Sequence, residues 1–431
     1  MIRLANVLIV DDNSGHADAL VQRLGLGNYH AVVARDAAHG LSHARQEHPD
    51  LVLAVSPDPI SFSAALKTDP ASCDIPVIVI AETVTPDLCA RALEAGVDDV
   101  IAIQCDDDEL FARMRPLVRL ATMHAELRYR AEAAQGFCVV ARDRVGAPEN
   151  ALPAILLIGD EAARAQAILA DFCDITLSDN LYEAEGLLTQ RNFDAALIAF
   201  DDEPEGLLGF CSQVRNNPRL FNLPMVVLSG ADAVEAYRRG ATRVLPRPVD
   251  AVVLRSVMLT LVRRQQLRWT IRGALNDSLQ GAARDEETGV YSRAFLDAFL
   301  ANRLEAAKSQ DRHLAVVFFA SPNVDGVRRQ FGDDAALHLT QQVGQWITGL
   351  LRAEDLTAAY GPAEFCVVLP DTPLAEAEVV MHRIAGVLAY TDFAVREVYQ
   401  PVKVWVQVGC TDSRSDDDMD SLLARARKNL D

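Results

Sequence analysis

Four short apolar runs occur twice along this chain, and this repeat constrains the fold more than any other feature. The run VLIVDD at 7–12 returns as ILLIGDE at 155–161, and three further pairs follow at similar separations of 144 to 148 residues. These pairs are PDLVLAV with FDAALIAF, IPVIVIAET with LPMVVLSGA, and EAGVDDVIAIQCD with RRGATRVLPRPVD. Short β-branched runs are typical of buried parallel strands. Because amphipathic stretches of helix length separate the runs, each copy is predicted to be an α/β domain with a parallel sheet covered on both faces.

Length and charge limit the number of domains and the kinds of partner. The chain has 431 residues, which is enough for roughly three domains of ~150 residues each. Its formal net charge of -20 argues against duplex nucleic acid or an anionic membrane as the main partner, because both require a basic face. The eight scattered cysteines are expected to be reduced thiols, as in cytoplasmic proteins. No run approaches the ~18 apolar residues of a membrane span, and the first apolar run is too short for a signal sequence.

Both copies resemble the receiver domain of two-component signalling, which has a flavodoxin-like, doubly wound fold. In that family an acidic pair after the first strand binds Mg²⁺, an Asp after the third strand accepts phosphate, and a hydroxyl and a Lys complete the site. A carboxylate attacks phosphorus only when cations neutralise the surrounding oxygens. The first copy keeps Asp11 and Asp12, but Val55 stands at the acceptor position, Ala81 at the hydroxyl position and Ile103 at the Lys position. This copy is expected to accept no phosphate.

The second copy keeps a different part of the receiver site. Family-like residues remain at three positions, Asp160, Ser229 and Arg247. Gly159 replaces one acid of the pair, and Ala199 occupies the acceptor position. A gap in the alignment would bring Asp201 or Asp202 to the acceptor position, and this alternative stays open. Both copies are therefore interpreted as degenerate receivers with a structural or dimerising role.

The segment after residue 265 predicts a third domain of a different kind. Its apolar strands and helices alternate in the manner of an α+β domain with a largely antiparallel sheet. Three motifs, DEETGVYSR at 285–293, FGDDAA at 331–336 and YGPAEF at 360–365, resemble those of the GGDEF domain, the diguanylate cyclase fold. The order of domains is similar to that of PleD-type response regulators. The predicted boundaries are a receiver at 1–120, a linker at 121–151, a receiver at 152–265, a linker at 266–284 and a GGDEF domain at 285–431.

The GGDEF resemblance implies a half-site for GTP, in which a Gly-rich turn receives phosphates and two carboxylates hold Mg²⁺ or Mn²⁺. Pro362 removes one N–H from that turn, and Ala363 stands where the family has its metal-binding acid. The other metal position is Ala320, and the guanine-reading positions are Arg328 and Leu337. On these five differences the domain is expected to be degenerate, to need no metal or other cofactor, and not to be an enzyme.

A second motif of the family is retained. In GGDEF domains an Arg-x-x-Asp just before the hairpin is the allosteric site for cyclic di-GMP, and here it is formed by Arg352 and Asp355. A planar guanidinium matches the O6/N7 edge of guanine, and a carboxylate can accept from the N1–H and N2–H₂ donors. Arg383 stands where the family supplies a second guanine-binding Arg. Cyclic di-GMP is therefore the expected ligand, although Arg-x-x-Asp is also commonly an i,i+3 surface ion pair.

The resemblance implies a cytoplasmic signalling protein and leaves three functions open. The first is a non-catalytic cyclic di-GMP effector and scaffold, a homodimer whose ligand gates recruitment of a protease adaptor and a regulator in cell-cycle control at a cell pole. The second is a receiver-based dimerisation scaffold that binds no nucleotide. The third is a residual cyclase half-site that acts in a mixed dimer.

Overall fold

The computed structural model describes residues 4–146, 152–160, 162–200, 206–217, 219–229, 233–396 and 398–430. The chain divides into two compact units. The first, named the paired-sheet unit, consists of Ala5–Ala121 and Gly146–Thr270. The second, named the antiparallel-sheet unit, consists of Met1–Leu4, Thr122–Val145 and Ile271–Asp431.

The first half of the paired-sheet unit alternates strands and helices. Its elements are β1 (Ala5–Val10), α1 (Ser14–Leu26), β2 (Tyr29–Ala34), α2 (Ala37–Glu47), β3 (Leu51–Ala54), α3 (Pro59–Thr68), β4 (Val77–Ala81), α4 (Pro86–Glu94), β5 (Asp99–Ala102) and α5 (Asp107–Gln135). All strand pairs are parallel, in the order β2-β1-β3-β4-β5. Polar side chains begin the helices by accepting backbone N–H groups, as Asn13 does for α1 and Asp36 does for α2.

The second half repeats this arrangement. Its elements are β6 (Ala154–Ile158), α6 (Ala162–Leu169), β7 (Asp174–Ser178), α7 (Leu181–Gln190), β8 (Ala195–Ala199), α8 (Leu207–Asn216), β9 (Met225–Leu228), α9 (Ala233–Arg238), β10 (Arg243–Leu245) and α10 (Ala251–Asp277). The strands are again parallel, in the order β10-β9-β8-β6-β7. Both orders place the first strand of each copy between the second and the third, as in flavodoxin-like folds.

The antiparallel-sheet unit contains a four-stranded sheet in the order β12-β13-β11-β14. Its elements, after a 3₁₀ turn at Gly281–Ala283, are α11 (Arg293–Ser309), β11 (Leu314–Ala320), α12 (Val324–Phe331), α13 (Asp333–Gly349), β12 (Leu356–Gly361), β13 (Glu364–Pro370), α14 (Leu374–Tyr390), β14 (Gln407–Asp412) and α15 (Met419–Lys428). The part of α5 from Thr122 onward belongs to this unit. There Ala134 lies in one buried cluster with Phe295 and Phe299 of α11.

The predicted fold class is confirmed in both units. Two doubly wound parallel sheets precede an α+β domain whose sheet pairs are antiparallel. One apolar run differs from the observed strand: VKVWVQVGC at 402–410 has the composition of a strand, but β14 begins only at Gln407. Gln407 pairs with Ala320, the last residue of β11, so residues before it lie beyond the end of their partner strand. Val402 instead forms an isolated bridge with Phe393.

No helix in the described part of the chain has the length and apolar character needed to cross a membrane.

Candidate functional site

The turn between α13 and β12 borders a cavity of about 480 Å³ in the antiparallel-sheet unit. Arg352 and Asp355, both predicted as ligand-binding residues, line this cavity. Three further arginines also line it, namely Arg130, Arg272 and Arg284. Small-molecule sites commonly have ~300–1,000 Å³. The cavity is therefore large enough for a ligand and is rich in guanidinium groups that suit an anion.

Asp355 shapes the turn as well as facing the cavity. Its Oδ2 accepts a hydrogen bond from the backbone N–H of Arg352 at 2.8 Å, and its own backbone N–H donates to the Arg352 carbonyl at 3.2 Å. Asp355 is buried, whereas the Arg352 side chain is exposed. The carboxylate thus closes the turn, and the guanidinium of Arg352 is presented at its surface.

Arg383, the third predicted residue, lies at the same turn. Its Nη2 donates to the carbonyl of Leu350 at 3.0 Å, two residues before Arg352. The side chain is exposed on α14. Among the described residues, those that line the cavity include Arg352 and Asp355 but not Arg383. The structure therefore brings all three predicted residues to one turn and places two of them at the cavity itself.

Arg130 is a residue of the candidate site that the sequence analysis missed. It is 3% exposed, and its Nη2 donates to the carbonyls of Ala353, Glu354 and Asp355 at 3.3, 2.7 and 2.9 Å. Its guanidinium also lies 5.7 Å from the centre of the Tyr291 ring. Because Arg130 belongs to α5, this helix holds the backbone of the predicted ligand-binding turn. Arg130 is one of several arginines at helical spacing, and only the fold distinguishes it from the others.

The hairpin that resembles the GTP site joins β12 to β13. Pro362 and Ala363 form its turn, and Ala363 has a positive φ of 51°, a conformation uncommon outside glycine. The Ala363 carbonyl accepts a hydrogen bond from the backbone N–H of Ser321 at 3.0 Å. Ala320 lies directly opposite Glu364 in the sheet. The two positions where the family has metal-binding acids are thus close together, and both carry methyl groups.

Glu364 is the acid that remains in this hairpin. It is buried, and its two carboxylate oxygens accept from Arg427 of α15, with Nε–Oε1 and Nη2–Oε2 distances of 2.7 and 3.0 Å. The Arg427 guanidinium also lies 5.1 Å from the centre of the Tyr360 ring. Within the described ranges, no group of three or more His, Cys, Asp or Glu side chains is arranged to hold a metal ion.

The receiver positions of the first copy lie at the carboxyl ends of its strands. Asp11 follows β1 and is buried, with Oδ1 accepting from the backbone N–H of Asn13 at 2.9 Å. Ala81 is the last residue of β4, and Val55 and Ile103 directly follow β3 and β5. One acid and three apolar residues therefore stand at the strand ends where the family binds phosphate.

The second copy places its receiver positions in the same way. Ala199 is the last residue of β8, and Gly159 and Ser229 directly follow β6 and β9. Arg247 donates through Nε and Nη2 to the Leu228 carbonyl at 3.0 and 2.9 Å. The alternative acceptors, Asp201 and Asp202, lie outside the described residues.

The backbone accounts for the glycine in the second copy. Gly159 has a φ of +112°, and a Cβ at this position would lie 2.1 Å from the Ala199 carbonyl oxygen. Restoring the family acid by Gly159→Asp should therefore lower the free energy of unfolding by at least ~1–3 kcal/mol, since strained backbone costs about this much. Urea-induced unfolding of the variant and of the wild-type protein measures this difference in the free energy of unfolding. The matched control is Gly186→Ala in α7, where a Cβ meets nothing within 4 Å and a gain of ~0.5–1 kcal/mol is expected. A fully stable Gly159→Asp protein would contradict the steric explanation.

Comparisons with known proteins agree with this architecture. The family described as "Diguanylate cyclase, GGDEF domain" matches residues 282–431, and "Response regulator receiver domain" matches residues 7–115. The chain is similar to Response regulator PleD of Caulobacter vibrioides, with 26% identity over 438 aligned positions that cover 98% of this chain and 95% of PleD.

Two solved structures also resemble part of the chain. Diguanylate cyclase SiaD of Pseudomonas aeruginosa, in complex with its activator SiaC, is 23% identical over 39% of this chain and 62% of that chain, with a TM-score of 0.33. The GGDEF domain of DgcB from Caulobacter crescentus, in complex with c-di-GMP, is 16% identical over 35% of this chain and 85% of that chain, with a TM-score of 0.33.

The prediction that this chain is not an enzyme is wrong. The family that matches residues 282–431 is described as one of diguanylate cyclases, and this finding points to an enzyme. The prediction rested on single positions, such as Ala320 and Ala363, whereas the match extends over the whole third domain. The chain thus combines a receiver domain with a GGDEF domain, in the architecture of PleD-like response regulators.

Proposed function

We propose that this chain is a cyclic di-GMP signalling protein that binds the dinucleotide at the cavity beside Arg352 and Asp355. The observation that carries the proposal is the meeting of these two residues with Arg130, Arg272 and Arg284 around about 480 Å³ of space. An Arg-x-x-Asp in sequence alone is weak support. A cavity lined by both residues and by three additional cations is a much more specific arrangement.

The chemistry of the cavity matches the two parts of the proposed ligand. The exposed Arg352 guanidinium is suited to two parallel hydrogen bonds with O6 and N7 of a guanine. The other guanidinium groups are suited to the phosphodiester oxygens, which accept charge-assisted hydrogen bonds. Arg383, which is exposed and donates to the Leu350 carbonyl, is available for a second guanine.

Contacts between Arg130 and the backbone of the turn couple ligand binding to α5. Arg130 of that helix donates to three successive carbonyls of the turn, from Ala353 to Asp355. A ligand that shifts Arg352 therefore changes the acceptors of a buried guanidinium. A buried charge is costly when its hydrogen-bond partners are lost. When the turn moves, α5 is therefore expected to move with it, so that Arg130 keeps its acceptors. This coupling is the proposed means by which ligand binding is transmitted.

The biological output is proposed from sequence resemblance. We infer from the sequence a resemblance to PopA, a cyclic di-GMP effector of Caulobacter-type bacteria, and this inferred resemblance is the basis for a proposed role in cell-cycle control. The proposed form is a homodimer in which the ligand gates recruitment of a protease adaptor and a cell-cycle regulator at a cell pole.

Calorimetric titration of the full chain with cyclic di-GMP tests the proposal. We expect saturable binding at micromolar concentrations or below, and no comparable binding of GMP, which offers one guanine and one phosphate. The protein must first be freed of copurified nucleotide, which absorbance at 260 nm verifies. Absence of binding would favour the alternative in which the receivers form a dimerisation scaffold without a nucleotide.

A further inference from the structure

A second cavity, of about 340 Å³, lies within the paired-sheet unit and is unusually basic. Six arginines line it, namely Arg115, Arg119, Arg215, Arg238, Arg264 and Arg268. Neither Asp nor Glu is found among the described residues that line it. The whole chain has a net charge of -20, so this local excess of positive charge runs against its composition.

Arg264 of α10 is the most informative of these residues. It is 8% exposed, and its Nη1 is buried without a hydrogen-bond partner among the described residues. Burial, together with the nearby charge of Arg243, lowers the pKa of Arg264 to about 10. A guanidinium remains charged at that pKa. The protein therefore holds a buried cation next to an open space.

The two acids whose charges raise the pKa of Arg264, Asp99 and Asp98, already have partners. Asp99 accepts hydrogen bonds from Arg113 and from Arg243. Asp98 forms an ion pair with Lys67 at 2.7 Å and accepts from the backbone N–H of Val77 at 2.9 Å. These carboxylates balance other cations, so the charge of Arg264 calls for a further anion.

Arg215 adds a second uncompensated positive charge at this cavity. Its guanidinium donates to the carbonyls of Gly240, Phe221 and Leu223 and to the Thr242 hydroxyl, at 2.6 to 2.8 Å. All four acceptors are uncharged. Burial lowers the pKa of Arg215 to about 10. Neutral acceptors satisfy the N–H groups and leave the positive charge uncompensated, so a bound anion would be stabilised by both Arg215 and Arg264.

The cavity also offers surfaces for an organic group. Phe221 and Tyr237 line it, and the guanidinium of Arg119 lies 4.8 Å from the centre of the Phe221 ring. Arg119 also donates to the Asn222 side-chain oxygen at 3.0 Å. The cavity volume of about 340 Å³ is at the lower end of the ~300–1,000 Å³ usual for ligand sites. This size suits a compact, strongly charged ligand.

We propose that this cavity is a binding site for a small polyphosphate, either pyrophosphate or the polyphosphate group of a nucleoside di- or triphosphate. Two or more adjacent phosphates match several converging guanidinium groups better than a single phosphate does. Arg264 binds the inner phosphate through its free Nη1, the charge of Arg215 stabilises that phosphate, and Arg119 with Phe221 lies beside the organic end. The site is separate from the one proposed at Arg352 and does not depend on it.

Titration of the full chain with pyrophosphate and with GTP, in Mg²⁺-free buffer, tests this site. Wild-type protein should bind at least one of the two saturably and gain thermal stability. If pyrophosphate suffices, the phosphates are the recognised group; if only GTP binds, the base also contributes; both results support the proposal. No stabilisation by either compound at millimolar concentration would overturn it, as would an equal effect of sulfate, because that indicates general screening of charge.

Substitutions separate this site from general charge effects. Arg264→Met should weaken polyphosphate binding at least ~10-fold while leaving the melting temperature of the free protein unchanged or higher, because it removes an uncompensated buried charge. Arg119→Gln, at a less buried position, provides a second variant with an expected loss of binding. The matched control is Arg239→Gln, an exposed residue paired with Glu235 and next in sequence to the cavity-lining Arg238. Wild-type affinity in both cavity variants would overturn the proposal.

Discussion

Replacement of Arg352 by Ala should weaken cyclic di-GMP binding by roughly thirtyfold or more. The exposed guanidinium of Arg352 lines the cavity and is proposed to make a charge-assisted, two-pronged hydrogen bond with guanine. Losing one partner of such a pair typically costs about 2–5 kcal/mol, and each ~1.4 kcal/mol corresponds to a factor of ten in the dissociation constant. Folding should barely change, because the turn is closed by the Arg352 backbone N–H and not by its side chain. Calorimetric titration of the variant measures the effect.

Companion variants make this prediction specific. Arg352→Lys should also bind weakly, because a point charge cannot form the planar contact of a guanidinium. Arg383→Ala should give a smaller loss if it holds the second guanine. Two controls should bind like wild type: Ala363→Glu in the hairpin, and Arg414→Ala, an exposed arginine of the same unit. Undiminished affinity in Arg352→Ala would show that the Arg-x-x-Asp turn is not the site.

Asp355→Ala is a poorer test of the same site. Its carboxylate accepts from the Arg352 backbone N–H, so removing it deforms the turn as well as any ligand contact. A loss of binding in this variant would not separate the two causes. The structure therefore makes Arg352 the residue on which the ligand hypothesis is best judged.

The fold was largely predictable because its signals are local and repeated. Each buried parallel strand, such as β1 and β6, appears as a short β-branched run, and the spacing between the copies identifies two equivalent domains. The start of β14 at Gln407 was not predictable, because it depends on where the partner strand β11 ends. Residues from Val402 to Val406 have strand-like composition and yet lie beyond that partner.

The candidate site was predictable only where a contiguous motif forms it. Arg352 and Asp355 are three residues apart, and so they can be found by spacing. Arg130 is more than two hundred residues away from them and approaches the turn only through packing of α5. The arginines of the basic cavity are likewise dispersed over α5, α8, α9 and α10. In sequence each is one more helical arginine, which is most often a solvated surface residue.

Replacement of Arg303 by Met should lower the free energy of unfolding of the antiparallel-sheet unit by about 3–5 kcal/mol, the usual effect of breaking a buried ion pair. The Arg303 side chain is 4% exposed and contacts Glu126, which is fully buried, with an Nε–Oε1 distance of 2.7 Å. Its Nη2 lies 3.2 Å from Asp371 Oδ1, and Arg312 supports the other oxygen of Asp371 at 2.8 Å. Urea-induced unfolding measures the loss.

Most of that loss comes from Glu126, which the substitution leaves without its hydrogen-bonded cation. Burial already raises the pKa of Glu126 above its ordinary value in the wild-type protein, despite Arg303. Without Arg303 its pKa should rise further, so the folded state gains a proton more readily than the unfolded state. Stability linked to such a raised pKa is present at low pH and lost as the pH rises through the folded value. The deficit of Arg303→Met should therefore be smaller at about pH 5 than at pH 7.

Two further variants test whether loss of the Arg303–Glu126 ion pair, rather than loss of packing, causes the lower stability of Arg303→Met. The double variant Glu126→Met with Arg303→Met should recover most of the lost stability, because well-packed apolar residues often replace a buried ion pair without cost. Arg328→Met removes exposed ion pairs with Asp325 and Asp333 and should cost under ~1 kcal/mol. A double variant as unstable as Arg303→Met, with no dependence of the deficit on pH, would mean that the Arg303 side chain stabilises the unit through its packing and not by balancing Glu126.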